Sequence, residues 1–207
     1  MAARVITIAQ QKGGAGKTTL TAHLAVGFAE AGLKVAVLDI DPQGSLSAWA
    51  ALREGRPPAH RQAGGWRTAG EVDKLRRDFD LILIDSPPHA ETEAKLAVRE
   101  ADIVIVPVQP SPMDIWATRP TLDLARLEGR DVLVVLNRVP PRARLVDTAR
   151  EKLAELGVEV TDATLGNRVG FAAALMEGNA VTEEGRRGAA SEEIAALVAE
   201  LRRRLAL

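Results

Sequence analysis

The residues most able to do chemistry stand together near the start of the chain, in Lys12-Gly13-Gly14-Ala15-Gly16-Lys17-Thr18-Thr19. An apolar run, Val5-Ile6-Thr7-Ile8-Ala9, precedes them and reads as a buried strand. Leu20, Leu24 and Phe28 follow at helical spacing across residues 20–31. The glycines therefore occupy a strand-to-helix turn. Without a Cβ they open backbone conformations closed to other residues. Successive N–H groups can then face one anion, helped by the positive end of the helix dipole. In such a loop Lys17 reaches the β- and γ-phosphates of a nucleotide and the Thr18 hydroxyl ligates Mg²⁺. Gly13, Gly14, Ala15, Gly16 and Thr19 complete the expected cradle.

Carboxylates and an amide stand at other strand ends. Asp39-Ile40-Asp41-Pro42-Gln43-Gly44 closes an apolar run at 35–39, and Asp85-Ser86-Pro87-Pro88 closes another at 81–84. Two acidic sites joined to a Lys/Thr phosphate loop are the set that nucleotide–Mg²⁺ chemistry needs. A run at 132–136 ends in Asn137, whose amide can donate to adenine N7 and accept from its N6 amine. Position 140 holds Pro140 where a guanine reader carries an acid, so ATP is expected over GTP.

These residues need a frame that brings strand ends together. Apolar strands at 5–9, 35–39, 81–84, 103–106 and 132–136 alternate with helical stretches. The helices are expected near 20–31, 45–52, 72–77, 91–100, 112–127, 143–156 and 191–205, with an edge strand at 158–161. Residues 53–67, with Pro57, Pro58, Gly64 and Gly65, read as an irregular loop. Solid apolar strands alternating with helices predict an α/β fold, a doubly wound and mainly parallel sheet flanked by helices, in one domain over 1–207. Ligands of such sheets sit at the carboxyl ends of strands, where the glycine-rich loop lies.

Composition narrows the classes. The 207 residues suffice for a real core, and the formal charge of −1 predicts no strongly basic surface, so any nucleic-acid site is a local patch. Cysteine is absent, which excludes disulfides and thiolate metal sites. No apolar run approaches the ~20 residues of a membrane span. Only Met1-Ala2-Ala3-Arg4 precedes the first strand, so no signal peptide is expected and a cytoplasmic location is. His23, His60 and His89 carry no metal spacing and read as surface or packing residues.

The glycine loop departs from the usual pattern: Gln11 stands where the first glycine belongs, and Lys12 adds a second lysine. In this form KGGAGKTT resembles the deviant Walker A motif of the ParA/MinD family, and DIDPQG and DSPP resemble its switch I and Walker B segments. The resemblance covers nearly the whole chain and points to a small ParA-type partitioning ATPase lacking an N-terminal helix-turn-helix. It implies that Lys12 crosses a dimer interface to the partner's phosphates. It further implies that Asp41 orients the attacking water and that Asp85 supports Mg²⁺ through water, with Asp39 in the same outer shell. ATP would sandwich a homodimer that binds DNA without sequence preference on the nucleoid. A ParB-like or other adaptor would stimulate hydrolysis, with a plasmid, chromosome or protein cluster as cargo.

Several segments join that resemblance. Residues 107–114 match the family's dimer face beside the nucleotide, where Met113 and Trp116 either anchor the interface or pack a helix on the sheet. Arg187, in Arg186-Arg187-Gly188-Ala189, matches an arginine that contacts DNA in longer relatives, and Arg168 is a second candidate. Arg138, Arg142, Arg144 and Arg150 form another basic cluster, and a solvated surface is the plain alternative for all these arginines. Without cysteine or tyrosine, the iron–sulfur and tyrosine-kinase relatives are excluded. Two other readings remain. One is a MinD-like membrane switch using the amphipathic tail at 194–205, which otherwise docks as a terminal helix. The other is a ligase resembling dethiobiotin synthetase, for which no second constellation supplies a substrate pocket.

Overall fold

The computed structural model describes residues 3–88, 91–141, 145–183 and 188–207. Strands β1 (Arg4–Ile8), β2 (Val35–Asp39), β3 (Ala59–Gln62), β4 (Leu81–Asp85), β5 (Ile103–Val108), β6 (Asp131–Leu136) and β7 (Glu159–Val160) form one seven-stranded sheet in the order β3-β2-β4-β1-β5-β6-β7. All these pairings are parallel. The helices are α1 (Lys17–Glu30), α2 (Ser45–Ala51), α3 (Thr68–Leu75), α4 (Glu91–Glu100), α5 (Pro112–Trp116), α6 (Arg119–Leu127), α7 (Leu145–Glu155), α8 (Val169–Met176) and α9 (Ala189–Leu205). The chain winds outward from β1 through β2 to β3, returns through β4, then crosses β1 to build β5, β6 and β7 on the other side. This is the expected doubly wound sheet.

Strands covered on both faces should be apolar throughout, and β2 and β4 are buried at every position. Alternate side chains serve opposite cores. On one face Ile6, Ile8, Val37, Leu83 and Val135 meet Leu20, Leu24 and Phe28 of α1 and Leu197 and Leu201 of α9. On the other, Val5, Leu38, Ile82 and Ile84 meet Val72 and Leu75, while Val104, Val106 and Val134 meet Ala125 and Leu153. Burying one such leucine or phenylalanine contributes roughly 2–3 kcal/mol.

Helix α9 buries Ile194, Leu197, Val198, Leu201 and Leu205, the stripe expected of a docked helix. It approaches α1 so closely at Gly27 that a Cβ there would lie 2.9 Å from Val198 Cγ2. The tail therefore docks, and its apolar face is spent on the core. Among the described residues no helix is long and apolar enough to cross a membrane.

The segment between α8 and α9 is tied to the first two helices. The His23 ring lies edge-on to Phe171, its Nε2 is 3.2 Å from the Phe171 carbonyl oxygen, and its Nδ1 accepts from the Val181 N–H at 3.2 Å. These partners select the neutral tautomer protonated at Nε2. Trp49 Nε1 donates to the Asn179 carbonyl at 3.2 Å. Arg53, only 2% exposed, donates to the Gly178 carbonyl at 2.8 Å and to both Glu183 oxygens at 2.9 Å.

The sequence reading differs from the structure in three places. Strand β3 lies inside the stretch read as irregular. Its sequence, Ala-His-Arg-Gln, carries no apolar run because it sits at the sheet edge and is half exposed. Helix α8 was not anticipated, since Val-Gly-Phe-Ala-Ala-Ala-Leu-Met is apolar on every side and shows no stripe. The single helix expected over 112–127 is two. Pro120 offers no N–H to the Trp116 carbonyl, and just before it the Thr118 N–H turns to the Ile115 carbonyl at 3.1 Å while its hydroxyl takes the Asp114 carbonyl at 2.9 Å.

Burial lowers the His23 pKa to about 4. The unfolded chain takes up that proton near pH ~6.5, so between these values it binds more protons than the folded one and stability falls as pH falls. Denaturant unfolding should lose on the order of 2 kcal/mol from this group between about pH 7 and about pH 5. His23→Gln should remove that component, and an unchanged pH dependence in the variant would count against it.

Candidate functional site

The loops at the carboxyl ends of β1, β2, β4 and β6 converge. The first ends at Gly16, which caps α1 in the left-handed conformation at φ 93° with no side-chain cap. The first-turn amides of α1 therefore remain available to an anion. Gly14 is also left-handed, at φ 75°. Thr18 Oγ1 donates to Asp85 Oδ2 at 2.7 Å, and Thr21 Oγ1 lies 3.4 Å from the other Asp85 oxygen. Burial pushes the Asp85 carboxyl up to about 7 against the pull of Thr18, with Asp39 adding to the rise. Burial likewise lowers the Lys17 pKa, while Asp85 and Asp41 oppose it. Lys17, Thr18, Asp41 and Asp85 thus share one electrostatic environment, as the sequence reading expects.

Two adjoining cavities flank this loop. One of about 710 Å³ is lined by Gly14, Lys17, Thr18, Asp41, Trp49 and Met176. The other, of about 360 Å³, is lined by Asn137, Leu165, Asn167, Phe171 and Ile194. Gly16, Thr19 and Arg138 line both. Lys17 and Thr18 line the first, and Asn137 lines the second. Hydroxyl and carboxylate oxygens at Thr18 and Asp85 are the donors Mg²⁺ prefers, completed by phosphate oxygens and water. Among the described residues no group of three or more His, Cys, Asp or Glu could hold a metal by itself.

Three of the expected site residues take partners within the chain. Asn137 was expected to read adenine. Its Nδ2 instead donates to the Ala15 carbonyl at 2.8 Å, and its Oδ1 accepts from the Arg138 N–H at 2.9 Å. The amide braces the phosphate loop. Asp39 was expected in the Mg²⁺ outer shell. Its Oδ1 accepts from the Asp41 N–H at 3.1 Å, and its Oδ2 accepts from Ser47 N–H and Oγ at 2.8 and 2.6 Å. Its oxygens hold the Asp41 loop against α2. Arg168, a candidate DNA contact, is paired with Glu193, Nη2 to Oε1 at 2.6 Å and Nε to the same oxygen at 3.0 Å. The pair lies at the surface, and Arg168 keeps its charge.

Lys12 is held within its own chain: Nζ donates to Asp114 Oδ1 at 2.7 Å, and Ser111 Oγ bonds the other oxygen. Sequence reasoning missed Asp114, although the Pro-Ser-Pro-Met-Asp string marked its segment. Met113 and Trp116 are 67% and 68% exposed, so neither packs α5 onto the sheet; buried Ile115 does that. Trp116 instead borders a groove of about 660 Å³ between α5 and α7, away from the phosphate loop. Arg150 Nη2 donates to the Asp162 carbonyl at 3.0 Å. His60 contacts Ser47 Oγ, while His89, Arg142, Arg144, Arg186 and Arg187 lie outside the described residues.

The family described as the CobQ/CobB/MinD/ParA nucleotide-binding domain matches residues 6–181, and the chain belongs to it. The chain is 28% identical over 206 residues to maintenance of carboxysome distribution protein A of Halothiobacillus neapolitanus, covering 95% of each. It is 29% identical to protein ParA of Rhizobium radiobacter, over 82% of this chain and 81% of that one. The fold matches the cell-division ATPase MinD of Pyrococcus furiosus with a TM-score of 0.79 at 21% identity, over 97% and 98% of the two chains. Nucleotide and Mg²⁺ binding are typical of the family, and its ParA and MinD members are ATPases.

Bracing by Asn137 has a measurable signature. Asn137→Ala should weaken ATP and GTP alike by about 1–2 kcal/mol, because it loosens the loop rather than a base contact. Loss confined to ATP in a nucleotide titration would restore the base-reading role. Gly16→Ala should be harsher, since its Cβ would lie 2.5 Å from Asn137 Nδ2 at a φ only glycine readily adopts.

Proposed function

We propose that this chain is an ATP-driven switch that positions cargo. ATP joins two copies, the dimer holds DNA without reading its sequence, and an adaptor bound to cargo stimulates hydrolysis and release. The observation that carries this reading is Lys12. Lys17 already enters the phosphate cavity, so phosphate binding within one chain leaves the second lysine unexplained. Lys12 is 37% exposed and held by Asp114. The Asp114 side chain is only 8% exposed, so Lys12 leaves this pair only for a stronger anion, which a partner's phosphates supply.

In hydrolysis Asp41 orients the water whose oxygen attacks the γ-phosphorus. The bridging P–O bond breaks, ADP leaves with the electron pair, the water's proton passes to the released phosphate, and Lys12 and Lys17 balance the charge, a task Mg²⁺ would share when bound. When bound, Mg²⁺ would be held at Thr18, with Asp85 accepting from its water. Positioning and electrostatics carry the rate.

DNA contact rests on Arg187, with Arg168 as a second contact whose exposed pair with Glu193 DNA phosphates can displace. At a formal charge of −1, one chain offers few clustered cations, whereas a two-fold dimer doubles the patch on one face. The carboxysome-distribution relative, matched over 95% of each chain, favours a protein assembly as cargo. The docked α9 weighs against the membrane reading.

Binding to unrelated duplexes should be tight with ATP and weak with ADP, with each phosphate contact adding about 0.9 to the slope of log affinity against log salt. Arg187→Glu should weaken it on every duplex and leave ATP-dependent dimerisation intact. Lys12→Ala should bind ATP as a monomer and lose the dimer. Equal DNA binding with ATP and ADP would remove the gate, and a normal Lys12→Ala dimer in light scattering would refute the trans lysine.

A further inference from the structure

We propose that Ser47 and His60 are positioning residues for hydrolysis: they hold Asp39, and through it the backbone of Asp41, where the Asp41 carboxylate meets the attacking water. The inference rests on the role of Asp41 given above.

The contacts form one chain from the sheet edge to the reaction. Asp39 is fully buried at the end of β2, and one oxygen accepts from the Asp41 N–H at 3.1 Å. Its other oxygen takes the Ser47 N–H and hydroxyl at 2.8 and 2.6 Å. Ser47 Oγ lies 2.9 Å from His60 Nε2. A hydroxyl has one hydrogen, and an ionised carboxylate is its stronger acceptor. Ser47 therefore donates to Asp39, and His60 Nε2–H must donate to Ser47. That requirement fixes the histidine's tautomer and aims the serine.

The position of His60 supports the same conclusion. Strand β3 pairs with β2 in register, His60 opposite Val37 and Gln62 opposite Asp39. Gln62 reaches the far side of the same loop, where a Cβ on Gly44 would come within 3.3 Å of its Nε2. A strand with one alanine among polar residues adds little to the core. Its side chains instead press on the loop from Asp41 to Gly44 and on the first turn of α2. Asp41 is itself partly exposed, and its Oδ1 accepts from the Gln43 N–H of its own loop at 2.9 Å. Buried Ile40, its N–H on the Asp85 carbonyl at 3.2 Å, fixes where the loop starts, and the Asp39 anchor fixes the Asp41 backbone beyond it.

The test uses the full chain with Mg²⁺ and ATP. Phosphate release is measured over a range of ATP concentrations, and ATP-dependent dimerisation by light scattering, for His60→Leu, His60→Gln, Ser47→Ala and Asp41→Ala. His60→Leu and Ser47→Ala should lower kcat roughly tenfold, about the value of one hydrogen bond in the transition state, with KM unchanged and the dimer retained. His60→Gln places an amide N–H near the position of Nε2 and should recover most of the rate. A merely structural histidine would lower kcat and ATP affinity together, without rescue by glutamine, and that result overturns the proposal. A slow Asp41→Ala beside an unimpaired His60→Leu overturns the positioning role alone. Wild-type turnover in Asp41→Ala overturns both this role and the reading beneath it.

Discussion

The site depends on one left-handed turn. Gly16 must take φ 93° for the chain to leave β1 and enter α1 with the helix end exposed. Asn137, from the end of β6, fills the space a side chain would occupy and bonds the Ala15 carbonyl. The turn is thus made by one residue and held by another on a different strand. Helix α1 then carries Lys17 and Thr18 at its start, His23 in its middle and Gly27 near its end. Nucleotide binding, the hold on residues 171–181 and the docking of α9 all follow from where that turn aims the helix.

Three aspartates at neighbouring strand ends show how environment divides one chemistry into three. Asp85 is dry and shares its oxygens with Thr18 and Thr21, which keeps it beside the metal-binding hydroxyl. Asp39 is equally dry but spends its oxygens on the switch loop. Asp41 keeps contact with solvent, where a water can reach it. Their residue type is identical, and only the hydrogen-bond partners separate their tasks.

The sheet was legible because its strands are short, solid apolar runs, and the phosphate loop because glycines, lysine and threonine fall on a strand-to-helix turn. Lys17, Thr18, Asp41 and Asp85 come together as their strand ends implied. What could not be read was the partner each polar group takes across the fold. Asn137 lies next to Ala15, and Asp39 next to Ser47 and His60, through contacts that no local pattern announces. Strand β3 was hidden because an edge strand needs no apolar alternation, and α8 because a helix apolar on all sides has no stripe. Arg168 looked unpaired in the sequence and forms an ion pair in the fold, since Glu193 reaches it from α9.

The clamp between α2 and the segment before α9 bears on how this chain can diverge. Arg53 and Glu183 lie far apart in sequence and meet in a nearly dry place. Losing Glu183 strands the Arg53 charge there, at a cost on the order of 3 kcal/mol, and losing Arg53 leaves Glu183 with the Ala180 N–H and a longer 3.7 Å contact from Arg56. Each is therefore held by the other, and neither can drift alone. A chimaera joined between them, front half from one relative and back half from another, inherits a mismatched lock unless both halves carry the pair. Crossovers that keep residues 53–183 together preserve it, so this stretch is inherited as one block.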